Sequence, residues 1–200
     1  VSVTFGGIRA VDTVDVAVHD KEILGLIGPN GAGKTTLFDV FSGFVAPTHG
    51  RVLLGGYDVT NLPPDARARM GLGRSFQDAR IFASLTVAEN LAAALERHLE
   101  IRDHASSALG LPAAREQEDD IAWAVADLVE LMGLGAFRDK FVSELSTGSR
   151  RVVDIAMALA ADPAVLILDE PSSGIAQRET EALGPLLRQI RDEAYVEVKL

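Results

Sequence analysis

Apolar and polar residues follow regular patterns along the chain, and several of these patterns predict strands. Residues 14–18 alternate between apolar and polar side chains, as expected for a strand with one buried face. Residues 22–27 and 165–168 are short apolar runs, which are typical of strands buried on both faces. Strands are also predicted at residues 51–54 and 71–77. Because helical segments separate these strands, the sequence predicts an α/β fold.

Helical spacing of apolar residues, together with capping residues, predicts the helices. A capping-box pattern starts at Thr86, with Glu89 three residues later, so a helix is predicted to begin there. Residues 100–120 are polar and irregular and form the most linker-like stretch. We expect Trp123 to be a core residue of the helix that follows. The predicted helices cover residues 33–41, 63–70, 86–95, 121–132 and 150–161.

The order of these elements predicts one domain that contains an insertion. With 200 residues, 48% of them hydrophobic, the chain can bury a substantial core. We predict a strand-containing core made of residues 1–82 and 149–200. A helical subdomain of residues 83–148 interrupts this core.

Charge and cysteine content limit the possible functions. The formal net charge of -10 argues against a nucleic-acid partner, because phosphate backbones require clustered Lys and Arg. The sequence has no cysteine, which excludes disulfides and fits a reducing compartment such as the cytoplasm. No apolar run approaches the length of a membrane span, and Val1 opens strand-like sequence, so we expect no signal peptide. Any membrane role is expected to go through a partner.

Residues 28–35 match the G-x-x-x-x-G-K-[ST] pattern of a phosphate-binding loop. The pattern lies between a predicted strand and a predicted helix, which is the context that it requires. Lys34 is expected to reach the β- and γ-phosphates of a purine nucleotide, and the Thr35 hydroxyl is expected to hold Mg²⁺. The predicted nucleotide-binding residues are Gly28, Pro29, Asn30, Gly31, Ala32, Gly33, Lys34, Thr35 and Thr36.

Two carboxylates follow the apolar run at residues 165–168. A buried parallel strand delivers such residues to its C-terminal edge, where nucleotides bind in α/β sheets. Asp169 is therefore predicted to hold Mg²⁺, directly or through water. Glu170 is placed to orient or deprotonate the water that attacks the γ-phosphate.

With these residues in view, the chain resembles the ATP-binding subunits of ABC transporters over nearly its whole length. Residues 145–151, Leu-Ser-Thr-Gly-Ser-Arg-Arg, stand where that family has its signature segment, usually Leu-Ser-Gly-Gly-Gln. Thr147 and Ser149 depart from that form. The resemblance implies that Ser146 and Gly148 contact the γ-phosphate of an ATP held by the opposite subunit. Ser146 can cap a helix at the same time.

The resemblance implies two further nucleotide contacts. Gln77 stands where the family has its glutamine loop, whose amide oxygen completes the shell around Mg²⁺ or water. Phe5 matches the aromatic residue that stacks on adenine, although as an isolated residue it could equally belong to the core. Ala176 stands where many relatives have Asp or Asn, which leaves communication between paired sites open.

Residues 71–77, 81–82 and 85–91 are similar to subunits that serve importers of branched-chain amino acids and related amides or urea. The resemblance then implies a RecA-like P-loop core with an inserted helical subdomain, which acts as an ATP-hydrolysing motor. The implied partners are a second ATP-binding subunit, identical or different, transmembrane permease subunits and, indirectly, a solute-binding protein. The implied location is the inner face of the cell membrane.

The positions of the histidines add one expectation and keep two alternatives open. His19, His49, His98 and His104 all precede Asp169, whereas the switch histidine of the family follows the corresponding strand. We therefore expect a domain that is incomplete at its C-terminus, and the activity of this chain stays open. The alternatives are a soluble ABC-type ATPase without a transporter and a nucleotide-gated module that does not hydrolyse ATP.

Overall fold

The computed structural model describes residues 1–75, 81–96, 112–173 and 177–193, in which helices alternate with short paired strands. The strands are β1 (Val3–Phe5), β2 (Ile8–Val11), β3 (Leu53–Leu54), β4 (Tyr57–Asp58), β5 (Leu72–Ser75) and β6 (Val165–Leu168). The helices are α1 (Lys34–Ser42), α2 (Pro64–Arg69), α3 (Val87–Glu96), α4 (Pro112–Leu131), α5 (Thr147–Leu159) and α6 (Gln177–Glu193). Two 3-10 turns, Gly135–Phe137 and Val142–Glu144, lie between α4 and α5. The predicted α/β fold is confirmed.

Two antiparallel hairpins precede and follow α1. β1 pairs with β2, and β3 pairs with β4. Each hairpin turns through two glycines at positive φ, Gly6–Gly7 and Gly55–Gly56, which is the conformation that a two-residue hairpin turn requires. The hairpins and α1 share one core cluster, whose buried members are Val3, Val11, Leu37, Val40, Val52 and Val59.

β5 and β6 form a parallel pair that determines where the candidate site lies. Leu72 is opposite Val165, and Ser75 is opposite Leu168, so both strands end at the same level. The loop that follows Ser75 and the acidic pair that follows Leu168 therefore leave the same edge of the pair. The prediction of a strand at residues 165–168 is confirmed, and the prediction at 71–77 is confirmed for residues 72–75.

The predicted strands at residues 14–18 and 22–27 do not form. The structure has no regular strand over this segment, although a turn joins the His19 oxygen to the Glu22 amide at 3.1 Å. Ile27 is 94% exposed, and other apolar side chains of the segment are also exposed. The segment lines a cleft of about 1700 Å³ together with β6 and part of α1. Apolar runs indicate a capacity for burial, but a strand also needs a partner backbone, which the sequence pattern does not specify.

The second core cluster joins the helices to β6. Its buried members are Val87, Leu91, Val125, Val129, Met132, Leu134, Val142, Leu145, Val153, Ile155, Ala156, Leu183 and Ile190. These residues come from both sides of the predicted subdomain boundary at residues 148 and 149. The helical segment and α5 are thus packed on one another, and the domain division stays a prediction.

Helix α4 corrects two expectations. It begins at Pro112, so residues 112–120 are helical and not irregular, while residues 100–111 lie outside the described part of the chain. Trp123 is 73% exposed, and the expectation that it is a core residue is wrong. Val125 and Val129 supply the buried face instead, at 4% and 6% exposed. Trp123 lies two residues before Val125, which places it on a different face of a helix with 3.6 residues per turn.

The remaining predicted helices match α1, α2, α3 and α5 to within a few residues. The capping box before α3 is present, because the Thr86 amide donates to Glu89 Oε2 at 2.7 Å and the Glu89 amide donates to Thr86 Oγ1 at 3.2 Å. The hydrogen bonds that the amide and the hydroxyl of Thr86 donate to the Glu89 carboxylate lower the pKa of Glu89. The sequence pattern therefore predicted both the start of this helix and its cap.

Arg67 fixes the end of α1 from inside the protein. Its side chain is almost completely buried, at 1% exposed, and it donates to the Val40 oxygen at 2.6 Å and the Phe41 oxygen at 2.7 Å. It also donates to the oxygens of Thr60 and Leu62 at 2.9 and 3.0 Å. The burial lowers the pKa of Arg67. A guanidinium at a helix C-terminus satisfies carbonyl groups that have no partner within the helix.

Candidate phosphate-loop and carboxylate site

The phosphate-loop sequence folds into a glycine-rich turn that leads into α1. Gly31 and Gly33 have φ values of 81° and 87°, in the left-handed region that favours glycine. Gly33 is also the residue before α1, and a Cβ atom there would collide with the carbonyl oxygen of Ala10 in β2. The turn is therefore built around positions that only glycine fits, and it places the first amides of α1 at its open end.

Lys34 lies within the curve of this loop. Its Nζ donates to the Gly28 oxygen at 2.8 Å and to the Pro29 oxygen at 3.0 Å. The next residue, Thr35, is exposed in the first turn of α1, and Thr36 is half-buried. An ammonium group and helix N-terminal amides at one turn form an arrangement suited to an anion such as phosphate.

The two candidate carboxylates follow β6 directly and have different environments. Asp169 is buried at 6% exposed, whereas Glu170 is exposed. Glu170 has a φ of 44°, which is uncommon for a residue other than glycine. The Ser173 amide donates to the Glu170 oxygen at 2.9 Å and closes the turn. The strand end thus presents one enclosed carboxylate and one that faces outward.

Arg74 connects Asp169 to α1. Arg74 Nη1 is 2.7 Å from Asp39 Oδ1, and Nη2 is 3.3 Å from Asp169 Oδ2. The Arg74 side chain is only 8% exposed. Asp39 lies one helical turn after Thr35, so the two residues share one face of α1. The contacts of Arg74 therefore link the face of α1 that carries Thr35 to the end of β6 that is followed by Asp169.

A second buried arginine holds the backbone of Asp169. Arg151 Nη2 donates to the Asp169 carbonyl oxygen at 2.6 Å, and Arg151 Nη1 is 3.1 Å from Asp154 Oδ2. Burial raises the pKa of Asp154, and the charge of Arg151 acts in the opposite direction. Neither Arg74 nor Arg151 is among the site residues predicted from the sequence. The available signal was a basic residue within a strand or a helix face whose other residues are buried. The sequence alone does not show whether such a basic residue is buried with its neighbours or exposed.

The signature segment caps α5. Ser146 is the residue before the helix, and its Oγ accepts from the Ser149 amide at 3.1 Å. The capping alternative for Ser146 is therefore confirmed. Gly148 is buried in the first turn, while Ser146 is exposed. A contact of Ser146 and Gly148 with a phosphate of another subunit stays a prediction.

The other predicted site residues lie either on the surface or outside the residues that the structure describes. Phe5 is 50% exposed in β1, so it does not belong to the core, and its adenine contact stays a prediction. Gln77 and Ala176 lie outside the described residues.

The side-chain oxygens of Thr35 and Asp169 fit Mg²⁺, and the phosphate loop fits a nucleoside triphosphate. A threonine hydroxyl and a carboxylate are hard oxygen ligands, which Mg²⁺ prefers, and it typically binds through one or two carboxylates plus phosphate oxygens. The carboxylate of Asp169 has lone pairs beyond the one directed at Arg74, so the two interactions are compatible. The left-handed glycines of the loop leave its backbone open to a phosphate group.

Comparisons with known proteins agree on one family. The family described as ABC transporter matches residues 11–173. The branched-chain amino-acid transport ATP-binding protein BraF of Pseudomonas aeruginosa is 37% identical over 98% of this chain and 76% of its own length. The lipopolysaccharide export ATP-binding protein LptB of Escherichia coli is 39% identical over 94% of this chain and 72% of its own. The ADP conformation of MJ1267, an ATP-binding cassette of an ABC transporter, has a TM-score of 0.79 and 28% identity, covering 96% of this chain and 75% of that one.

Proposed function

Because the chain belongs to the ABC transporter family as an ATP-binding subunit, we propose that it is the ATP-hydrolysing motor of an importer for branched-chain amino acids or related small solutes. The observation that carries the proposal is the link through Arg74 between the phosphate-loop helix and Asp169. This link supports the proposal, because it joins the helix that follows the phosphate loop to the strand end that carries Asp169 and Glu170, which lie far apart in the sequence.

In this proposal the residues of the phosphate loop bind the phosphates of ATP through their amides and Lys34. Thr35 and Asp169 hold Mg²⁺, which when bound neutralises charge on the β- and γ-phosphate oxygens. Glu170 orients the attacking water and accepts its proton, because it is exposed at the strand end beside the buried Asp169. Gln77 completes the shell around the water, and Phe5 stacks on adenine.

The proposed assembly is a pair of ATP-binding subunits attached to transmembrane permease subunits, with a solute-binding protein as an indirect partner. Ser146 and Gly148 of one subunit contact the γ-phosphate held by the other. The exposed Ser146 at the N-terminus of α5 supports this, since a helix N-terminus offers amides and a positive dipole end to an anion. The subunit is then peripheral on the inner face of the membrane.

The direction of transport and the solute rest on different support from the ATPase function. BraF serves amino-acid transport and LptB serves lipopolysaccharide export, and their identities to this chain are nearly equal. Overall identity therefore does not choose between import and export. The choice of an importer rests on residues 71–77, 81–82 and 85–91, whose sequence is similar to importer subunits. Both relatives are transport subunits. The alternative of a soluble ATPase without a transporter is therefore not favoured.

The test is reconstitution of the full chain with the permease subunits encoded beside it in vesicles that hold ATP inside, with the solute-binding protein and radiolabelled leucine or urea outside. We expect ATP-dependent uptake that stops with Lys34→Ala and continues with Lys140→Ala, since Lys140 is an exposed lysine whose ammonium group lies over the ring of Phe137. ATP hydrolysis that needs no permease and drives no solute movement would support the soluble alternative. Binding of ATP without phosphate release would support the non-hydrolysing module.

A further inference from the structure

Arg151 contacts the candidate hydrolytic turn from the signature helix. It lies on α5, five residues after Ser146, and its side chain is 8% exposed. Its Nη2 donates to the carbonyl oxygen of Asp169 at 2.6 Å. A short hydrogen bond from a charged donor is about twice as strong as one between neutral groups. α5 and the end of β6 are therefore joined at one point by a strong contact.

The carbonyl that Arg151 holds belongs to the peptide group between Asp169 and Glu170. Glu170 has a φ of 44°, a left-handed conformation that is unfavourable for a residue other than glycine and persists only where its surroundings maintain it. Fixing this peptide group fixes the nitrogen and Cα of Glu170 and so restricts the directions in which its side chain leaves the backbone. Arg151 acts on Glu170 in this way through the backbone, without contacting the substrate itself.

We infer that Arg151 is a positioning residue that ties the orientation of Glu170 to the position of α5. Ser146 and Arg151 belong to one continuous helix, so a small displacement at the helix N-terminus moves both. Contact of Ser146 and Gly148 with the partner subunit's ATP is then transmitted within the same subunit to its own hydrolytic turn. The inference rests on the proposed function and adds a physical connection between the two sites of the pair.

A different role for Arg151 would be to neutralise Asp154. The two side chains are 3.1 Å apart and both are buried, at 8% and 12% exposed. Removal of Arg151 alone would leave a buried carboxylate without this partner, and the protein would be destabilised for that reason. The substitution Asp154→Asn removes the ion pair, but its amide oxygen can still accept a hydrogen bond from Arg151 Nη1, and the hydrogen bond from Arg151 to Asp169 is kept. The double substitution Arg151→Met with Asp154→Asn removes both contacts and leaves neither charge of this pair unpaired.

The experiment compares four forms of the full chain: the parent, Asp154→Asn, Arg151→Met with Asp154→Asn, and Arg151→Lys. Steady-state hydrolysis gives kcat, KM and the Hill coefficient for ATP. We expect Asp154→Asn to keep kcat within about 2-fold of the parent. The double variant should lose about 10- to 100-fold in kcat with little change in KM, because displacement of a reacting group by about 1 Å costs up to that factor. Its Hill coefficient should fall toward 1, and Arg151→Lys should recover part of kcat.

Amide hydrogen exchange without nucleotide tests the same contact independently of hydrolysis. Exchange over residues 169–173 should be about 10-fold faster in the double variant and unchanged in Asp154→Asn. Equal kcat and equal exchange in Asp154→Asn and the double variant would overturn the inference. A double variant with a lower kcat, a higher KM and unchanged exchange would also overturn it. If the parent itself releases no phosphate, the proposed function fails, while exchange still decides whether Arg151 holds the turn. A double variant that does not fold leaves the decision to Arg151→Lys, whose exchange should lie between the two.

Discussion

The ammonium group of Lys34 donates to two carbonyl oxygens of its own loop, Gly28 and Pro29, at 2.8 and 3.0 Å. These are neutral acceptors, and a phosphate group is a stronger, charged acceptor at the same place. Moving the Lys34 ammonium group from these carbonyl oxygens to a phosphate of ATP therefore costs little free energy. The local fold does not depend on it, because the loop is shaped by its left-handed glycines.

Replacement of this lysine tests the phosphate site directly. Lys34→Ala should weaken MgATP binding about 10- to 100-fold, since a hydrogen bond to a charged group contributes about 1.5–3 kcal/mol. Titration calorimetry measures the affinity, and circular dichroism checks that the fold is kept. Lys140→Ala is the matched control and should bind as the parent does. Equal MgATP affinity of Lys34→Ala and the parent would contradict the assignment of the loop.

Arg67 is a residue whose importance the sequence did not reveal. Replacement by Met leaves four backbone oxygens near the end of α1 without their donor. We expect Arg67→Met to lower the free energy of unfolding by about 2–4 kcal/mol, as measured by urea denaturation. Arg69→Met on the same helix is the control, because Arg69 is 72% exposed and its pair with Asp65 is a surface pair. A similar loss for both variants would show that the buried contacts of Arg67 contribute little.

Helix α3 offers a pH-dependent test of its cap. The hydrogen bonds from Thr86 lower the pKa of Glu89 below its unperturbed value of 4.5. A lowered pKa in the folded state means that the stabilisation is present above the unfolded pKa and is lost as the pH falls through the folded one. Glu89→Gln should therefore be less stable than the parent at pH 7, and the difference should shrink below about pH 4.5.

The control for this cap is a double-mutant cycle with Thr86→Ala, in which the side-chain part of the interaction is already absent. In that background Glu89→Gln should have a smaller effect at pH 7. Thermal unfolding at several pH values measures each form. A stability difference between the parent and Glu89→Gln that stays constant from pH 7 to pH 3 would show that the charge of Glu89 does not stabilise the helix start.

The sequence predicted those elements whose signals are local. The capping box at Thr86 is such a local pattern, and it was found where expected. The apolar run at residues 165–168 also forms a strand, because it pairs with the distant β5. The run at residues 22–27 is similarly apolar but forms no strand, and the structure leaves Ile27 94% exposed. Trp123 was misplaced because the helical face that is buried depends on the packing partner.

The candidate site could be predicted residue by residue but not as a network. The loop at residues 28–35 and the pair Asp169 and Glu170 carry sequence patterns that relate to chemistry. Arg74 joins α1 to the Asp169 carboxylate across 95 positions, and Arg151 joins α5 to the Asp169 carbonyl oxygen across 18 positions, and no local pattern marks such a contact. These contacts therefore became visible only in the folded chain.

Assembly of two subunits is the property of the whole molecule that the proposal makes testable. Glu170→Gln in the full chain keeps the shape of the side chain and removes the base, so hydrolysis should fall about 10²- to 10⁴-fold while ATP still binds. ATP that bridges the phosphate loop of one subunit and Ser146 of the other then persists. We expect the variant to accumulate as a dimer in millimolar MgATP and to remain monomeric in MgADP, as measured by size-exclusion chromatography with light scattering.

A second substitution separates a sandwich of two ATP sites from other modes of dimerisation. Asp is as good an N-cap as Ser, so Ser146→Asp should keep α5 intact while it places a negative charge where the partner's γ-phosphate is expected. The carboxylate introduced by Ser146→Asp would repel the negative γ-phosphate. The ATP-dependent dimer of Glu170→Gln should therefore be lost in the double variant Glu170→Gln with Ser146→Asp. MgATP binding to the phosphate loop of each monomer should persist, because Lys34 and Thr35 are unchanged. A dimer that forms equally well with Ser146→Asp would place the interface elsewhere on the subunit. A Glu170→Gln variant that stays monomeric in MgATP would indicate that the partner is a different ATP-binding chain.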